Sequence, residues 1–291
     1  MSSNLKISIG MPVYNGGETI KAALEALLNQ SFKEFELIIS DNASTDETQA
    51  ICEDFASRDE RIRYVRQPQN LGSAGNFKYV LDEAVGEYFL WAAADDTRSK
   101  DFLEVNVEFL ENNPDYVAST SPNIFEGQDP KGKDLVTFAL DAKTPEERVF
   151  QFFDNCWQSH CIFYSLMRTK VLKECDLVGQ HFIASDWAID LFMALNGSIH
   201  RTEKGLTTLG AKGISNQRSS YKAFRNHPIE LIVPFYKLSK ILIQWTKSFS
   251  LKDRMKIYKF LFVLNTSSLF NQMHSSLYYF YSTKLKVRKK V

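Results

Sequence analysis

Cysteine is scarce in this 291-residue sequence. Its four copies, Cys52, Cys156, Cys161 and Cys175, form no CxxC pair, and the step of five from Cys156 to Cys161 matches no common zinc spacing. Reduced thiols are the expectation, which excludes a disulfide-stapled scaffold. Net charge is missing as well: 35 Lys+Arg balance 35 Asp+Glu, which argues against a general nucleic-acid binder. No window of about 20 residues is apolar enough for a convincing membrane span. The opening MSSNLKISIGMPVYN has no charged stretch leading into an apolar one, so a secretory signal is not expected and a cytoplasmic location is. Repeats, low-complexity tracts and a GxGxxG dinucleotide fingerprint are all absent.

What is present is an apolar share of 44%, enough to build a substantial core. The first 96 residues alternate in pattern. Strands are predicted over 5–14, 35–40, 62–67 and 87–94, and helices over 18–31, 44–59 and 73–86. Ser44 and Glu47 have capping-box spacing at the second helix. Alternation of this kind predicts an α/β fold with a mostly parallel sheet and helices on both faces. Ligands of such sheets lie beyond the carboxyl ends of the strands. Those ends carry Pro12 to Gly17, Asp41 to Asp46, Asn70 to Asn76, and the adjacent pair Asp95 and Asp96. Two neighbouring carboxylates raise each other's cost of ionisation, so a positive partner is expected there.

Farther along, helices are predicted over 100–115, 144–156 and 185–198, a strand over 116–125, and a strand followed by a helix over 159–174. Pro145 suits the first turn of its helix. Several singled-out residues also have plain structural readings. Asp95–Asp96 and Asp186 are possible helix caps, Asp41 a turn residue, Lys78 a solvated face, and Trp187 core.

PVYNGGETI, DNASTDET, NLGSAGN and AADD, in this order at successive strand ends, resemble the family 2 glycosyltransferases of the GT-A fold. The resemblance spans roughly residues 5–215. It implies a Rossmann-like domain over 1–215, with a nucleotide-binding half (1–98) and an acceptor-binding half (99–215). It also implies an inverting transfer of a sugar from a nucleotide-sugar, UDP-linked by preference, to a glycan or lipid-linked acceptor, as in bacterial surface polysaccharide synthesis. Asp96 then looks like the ligand of a divalent metal, Mn or Mg, and Asp95 like the ribose or indirect metal partner. Asp41 would accept from the nucleotide base. Pro12, Tyr14 and Asn15 would wall the base and ribose, with Glu18, Asn70, Gly72, Asn76 and Lys78 also on the nucleotide-sugar side. Asp186 matches the catalytic base, Asp190 one turn on is the reserve, and His160 and Trp187 are candidate acceptor contacts. Where relatives carry an Arg/His segment near the diphosphate, this chain reads TTLGAKGISNQRSS, and Lys212 is the substitute on offer.

Two other functions fit parts of the pattern. A nucleotidyltransferase also uses metal carboxylates at a sheet edge, but MPVYNGGE has no Lys or Arg for its phosphate loop. A non-catalytic glycan- or nucleotide-binding module would not need Asp96 or Asp186.

The charge balance conceals an asymmetry. Residues 201–291 carry 18 Lys+Arg and 3 Asp+Glu, and residues 1–200 the remaining 17 and 32. A helical, aromatic-rich extension over 216–291, closing on KLKVRKKV, suggests peripheral attachment to the anionic inner face of the cell membrane. Packing on the catalytic domain and a homo-oligomer interface are the alternatives, and nucleic acid is not an expected partner.

Overall fold

The computed structural model describes residues 5–210, 224–225 and 227–283, with the side chains of His160 and of 274–283 outside that description. The chain divides into two compact units, one of Met1–His181 with Ser185–Gln217, the other of Phe182–Ala184 with Arg218–Val291.

The first unit opens with β1 (Ile7–Val13), α1 (Ile20–Leu28), β2 (Phe35–Asp41), α2 (Thr48–Arg58), β3 (Ile62–Arg66), α3 (Gly72–Asp82) and β4 (Tyr88–Trp91). β1 pairs in parallel with β2 and β4, and β2 with β3. β1, β2 and β4 are buried along most of their length, as expected where helices cover both sheet faces, whereas the edge strand β3 is mostly half-buried. α1 buries Ile20, Ala23, Leu24 and Leu27, one stripe of a 3.6-residue period.

The chain continues through β5 (Thr97–Arg98), α4 (Phe102–Asn112), β6 (Tyr116–Thr120), β7 (Asn123–Phe125) and α5 (Pro145–Asn155). It closes the unit with α6 (His160–Phe163), β8 (Leu166–Arg168), α7 (Thr169–Lys173), α8 (Ser185–Asn196), β9 (Ser198–Arg201) and β10 (Thr207–Leu209). The main sheet has seven strands in the order β3-β2-β1-β4-β8-β6-β9. β8 runs antiparallel to both neighbours, and the rest is parallel. A second, three-stranded sheet has the order β5-β10-β7.

Some expected elements change. The Ser44–Glu47 capping box does not form: the Ser44 hydroxyl instead accepts from the Asn15 N–H at 2.9 Å, and α2 starts only at Thr48. The single strand expected over 116–125 breaks at Ser121–Pro122 into β6 and β7, which belong to different sheets. Residues 159–174 begin as a short helix, not a strand. Pro145 does occupy the first turn of α5, where Thr144 and Glu147 form a capping box.

The second unit contains a 3-10 turn (Pro228–Leu231), α9 (Tyr236–Trp245) and α10 (Leu251–Thr283). Leu238 and Leu242 of α9 are buried, as are Ile257, Leu261 and Leu264 of α10. Asn265 latches the pair, accepting from Phe235 N at 2.8 Å and donating to Ser239 Oγ at 3.1 Å. The opposite side of α10 exposes Leu251, Met255, Phe262, Phe270 and Met273. Among the described residues, no helix is long and apolar enough to cross a membrane.

Candidate active site

The parallel register aligns Val13 with Asp41 and Asp41 with Arg66, so three strands end at one level. The loops beyond β1 and β2 interlock. Asn42 N donates to Val13 O at 2.8 Å, Thr45 N to Asn15 Oδ1 at 2.8 Å, Gly16 N to Thr48 Oγ1 at 2.9 Å and Gly17 N to Asp46 Oδ2 at 2.9 Å. Asn15 and Ala43 both have left-handed backbones, with φ of 51° and 60°. Such conformations cost of order 1–3 kcal/mol for non-glycine residues and cluster at functional sites.

Asp41 is fully buried at this edge. One carboxylate oxygen accepts from Ser44 N at 2.8 Å, and the other from Tyr64 Oη at 2.8 Å and Arg66 Nη1 at 3.0 Å. Burial, then the neighbouring Asp41 carboxylate, holds the Tyr64 phenol well above its ordinary pKa. Three of the about four acceptor positions of a carboxylate are thus filled from within the protein. Tyr14 is exposed, Pro12 half-buried and Glu18 exposed in the turn before α1. Asn70 Oδ1 accepts from Asn42 Nδ2 at 2.9 Å and Gly72 N at 2.8 Å. Gly72 has φ of +74° with open space where a Cβ would sit; the backbone, not crowding, asks for glycine there.

The second constellation follows β4. Asp96 is buried, and its Oδ1 accepts from Gly210 N at 3.0 Å. Its Oδ2 is buried without a partner. Burial pushes the Asp96 carboxyl up to about 6, opposed by the Arg98 charge and the Gly210 hydrogen bond. Asp95 is half-buried; burial raises it too, with Glu126 adding repulsion. Neither acid caps α4, because Asp101 precedes that helix. Arg98 is itself buried, donating through Nη2 to Trp91 O at 3.3 Å and lying over the Phe102 ring at 5.3 Å, while its Nε and Nη1 have no partner. Gly210 packs tightly here: a Cβ would lie 2.6 Å from both Asp95 O and Asp95 Oδ2.

The third constellation is the start of α8. Asp186 is exposed in its first turn, whereas Asp190, one turn on, is buried with Oδ1 unpartnered. Burial, then the Asp186 charge, drives Asp190 well above the ordinary carboxylate range. Of the two, Asp186 is the carboxylate accessible from outside. The Tyr164 phenol is raised well above its ordinary pKa, first by burial and then by the fields of Asp96, Asp95 and Asp186. Trp187 packs edge-on against Phe152 (centroids 5.9 Å) and Trp157 (5.2 Å).

The family model for glycosyl transferase family 2 matches residues 8–181, more than half of the sequence. The chain belongs to glycosyl transferase family 2. Curated relatives at 30 to 36% identity are covered over only 14 to 46% of their own length. One is the GalNAc(5)-diNAcBac-PP-undecaprenol beta-1,3-glucosyltransferase of Campylobacter jejuni, 34% identical over 92 residues, which are 31% of this chain and 30% of that one. Among solved structures, S. aureus TarS 1-349 in complex with UDP-GlcNAc superposes with a TM-score of 0.63 at 20% identity, covering 98% of this chain and 77% of that one. The mannosyltransferase PcManGT of Pyrobaculum calidifontis, in complex with GDP-Man and Mn2+, gives 0.58 at 14%, covering 96% and 75%. These likenesses establish the GT-A fold.

Not every residue singled out from the sequence faces this family's reaction edge. Asn76 is buried, accepting from Ser40 Oγ at 2.5 Å and donating to Ser40 O at 2.9 Å and Val13 O at 3.4 Å; it clamps β1 to β2. The Asn15 carboxamide holds the Thr45 loop. Lys78 is ion-paired with Asp82 on the outer face of α3 at 2.6 Å. His160 begins α6, but its side chain lies outside the described residues, as does Lys212. A divalent cation would fit Asp96, whose buried Oδ2 is a hard, unpartnered oxygen. Among the described residues there is no cluster of three or more His, Cys, Asp or Glu for a metal, which suits an ion completed by phosphate oxygens and water. Sequence reading missed Arg98, Tyr164, Gly210 and Trp157. The signals in the sequence were the charge beside the acid pair and an aromatic just past the end of the helix expected over 144–156.

Proposed function

We propose that this chain is an inverting, metal-dependent glycosyltransferase that moves a sugar from a nucleoside diphosphate donor, preferably UDP-linked, to a hydroxyl of a glycan or lipid-linked acceptor. The observation that carries this reading is Asp96: a buried carboxylate with one oxygen fixed by Gly210 and the other without a partner, in a chain whose α8 opens on the exposed Asp186. Asp41 accepts from the base, with Tyr14 and Pro12 beside it, and Asp95 takes the ribose. Mn or Mg held by Asp96 and the donor would balance the charge that develops on the departing diphosphate. Asp186 accepts the proton of the acceptor hydroxyl as that oxygen bonds to the anomeric carbon and the bond from that carbon to the phosphate oxygen breaks. Attack from the face opposite the nucleotide inverts the anomeric centre.

Surface polysaccharide assembly at the inner membrane face is the setting we infer. The C. jejuni relative is named for an undecaprenol-linked acceptor, and the second unit combines the exposed apolar side of α10 with a basic excess over residues 218–291, 15 Lys+Arg against 2 Asp+Glu. Each basic residue near an anionic surface contributes about 1 kcal/mol. The test of the catalytic reading is a thermal-shift panel of nucleotide-sugars with Mn2+ or EDTA, on the full chain and on Asp96→Asn. Stabilisation by a UDP-sugar that needs both Mn2+ and Asp96 is expected. Stabilisation that survives EDTA and the substitution would refute the metal role. Flotation with anionic but not neutral liposomes tests the surface; equal flotation with both would refute the electrostatic attachment.

A further inference from the structure

Trp157 is the exposed aromatic of the first unit that the catalytic reading leaves unused. It sits in a 3-10 turn (Cys156–Gln158) directly after α5 and is 63% exposed. An indole this open forfeits much of the burial a tryptophan ordinarily gains. It is nonetheless held in place. Trp187 meets it edge to face at 5.2 Å and 78°, and Trp187 is backed by the fully buried Phe152 at 5.9 Å. α5 and α8 pack together beneath this stack. The arrangement therefore fixes the plane of Trp157 while leaving surface open to solvent.

Its position is chemically defined. Trp187 is the residue after Asp186, the exposed carboxylate in the first turn of α8, so the Trp187–Trp157 ring contact starts one residue from the candidate base. A rigid aromatic face beside a proton-accepting carboxylate is complementary to a pyranose. The axial C–H face of such a ring packs on the indole, while its hydroxyls stay at the rim for the carboxylate.

We propose that Trp157, supported by Trp187, is the platform for the acceptor pyranose, stacking the sugar whose hydroxyl Asp186 deprotonates. This rests on the glycosyltransferase reading above and adds the acceptor's chemical class and its docking residue. Aromatic stacking of this kind is worth about 3- to 10-fold in affinity.

The test uses saturation-transfer difference NMR on the full chain with methyl β-pyranosides of glucose, galactose and N-acetylglucosamine. At least one should receive saturation mainly at its axial C–H protons. Trp157→Ala should weaken that binding about 3- to 10-fold, Trp157→Phe should restore most of it, and Asp186→Asn should leave the stacking signal in place. UDP-sugar stabilisation with Mn2+ should be the same in Trp157→Ala as in the parent, because Trp157 lies on the acceptor side. No pyranoside signal in the parent, or an equal signal in Trp157→Ala, overturns the proposal. Quenching of Trp157 fluorescence by vesicles with no response to sugar also overturns it, in favour of a lipid contact. Loss of all nucleotide-sugar binding in the parent would instead overturn the donor reading, so the two failures are distinguishable.

Discussion

Asp96 offers a quantitative prediction because its environment conflicts with its charge. The carboxyl titrates near 3.8 in the unfolded chain and near 6 when folded, owing first to burial, with Arg98 and the Gly210 hydrogen bond opposing. A raised carboxyl pKa means that the folded state favours the proton. Below pH 4 both states are largely protonated and folding carries no penalty from this group. As pH rises through 6 the folded protein must hold a buried charge, and the penalty reaches its full value. A rise of about 2, at about 1.4 kcal/mol for each pKa unit, is about 3 kcal/mol. Asparagine has the shape of the protonated acid and can still accept from Gly210. In metal-free buffer Asp96→Asn should therefore be more stable than the parent by up to about 3 kcal/mol at pH 8, a Tm several degrees higher. The gap should close by pH 4. Scanning fluorimetry in EDTA from pH 4 to 8 measures it, and adding Mn2+ with UDP should stabilise the parent alone. A gap independent of pH, or a variant less stable at pH 8, would refute the burial argument.

The other substitutions test separate parts of the site. Gly210→Ala places a Cβ 2.6 Å from Asp95 O and Oδ2; overpacking of this kind costs about 1–3 kcal/mol, so Tm and transfer should both fall, and an unchanged Tm would show that the segment yields freely. Asp41→Asn weakens charge-assisted bonds to Ser44, Tyr64 and Arg66, worth about 2 kcal/mol of stability, and should also weaken UDP binding by calorimetry; unaltered UDP affinity would remove Asp41 from base recognition. Asp186→Asn should lower kcat by roughly 10²–10⁴-fold while leaving the thermal shift with UDP-sugar intact; retained kcat would move the base elsewhere.

Legibility of the site in the sequence followed the range of the interactions. The edge at the strand ends was readable because β1, β2 and β4 are near-continuous apolar runs, so the acids that end β2 and follow β4, Asp41 and Asp95–Asp96, stand out against them. Parallel pairing then fixes their common level with no further information. Arg98 and Gly210 were not readable. Gly210 meets Asp96 across 114 residues, and it is delivered by β10, a three-residue strand too short to show any period. Trp157 follows the helix expected over 144–156 with no pattern to mark it, and only its exposure in the structure sets it apart. Asn76 failed in the opposite direction. A polar residue just beyond a strand reads as a ligand contact, but here the Asn76 amide turns inward from α3 and donates to Ser40 O and Val13 O.

The relation between Asp96 and Arg98 explains how two buried charges coexist at the centre of this site. Arg98 lowers the pKa of Asp96, and Asp96 in turn opposes the drop that burial imposes on Arg98. Yet the two make no hydrogen bond: Asp96 Oδ2 and Arg98 Nε and Nη1 are all partnerless. A bidentate pair would have been the more stable arrangement for two such ions, but it would have consumed the carboxylate oxygen. Support through the field alone limits the cost of burying Asp96 while keeping Oδ2 open. The neighbouring acid, Asp95, adds to that cost, so the guanidinium offsets only part of it, and the carboxyl still sits near 6. A site tuned in this way is weakest when empty and gains most from a cation, which is the direction a donor-binding site requires: stability lost in the free protein returns as affinity when the ion and its diphosphate arrive.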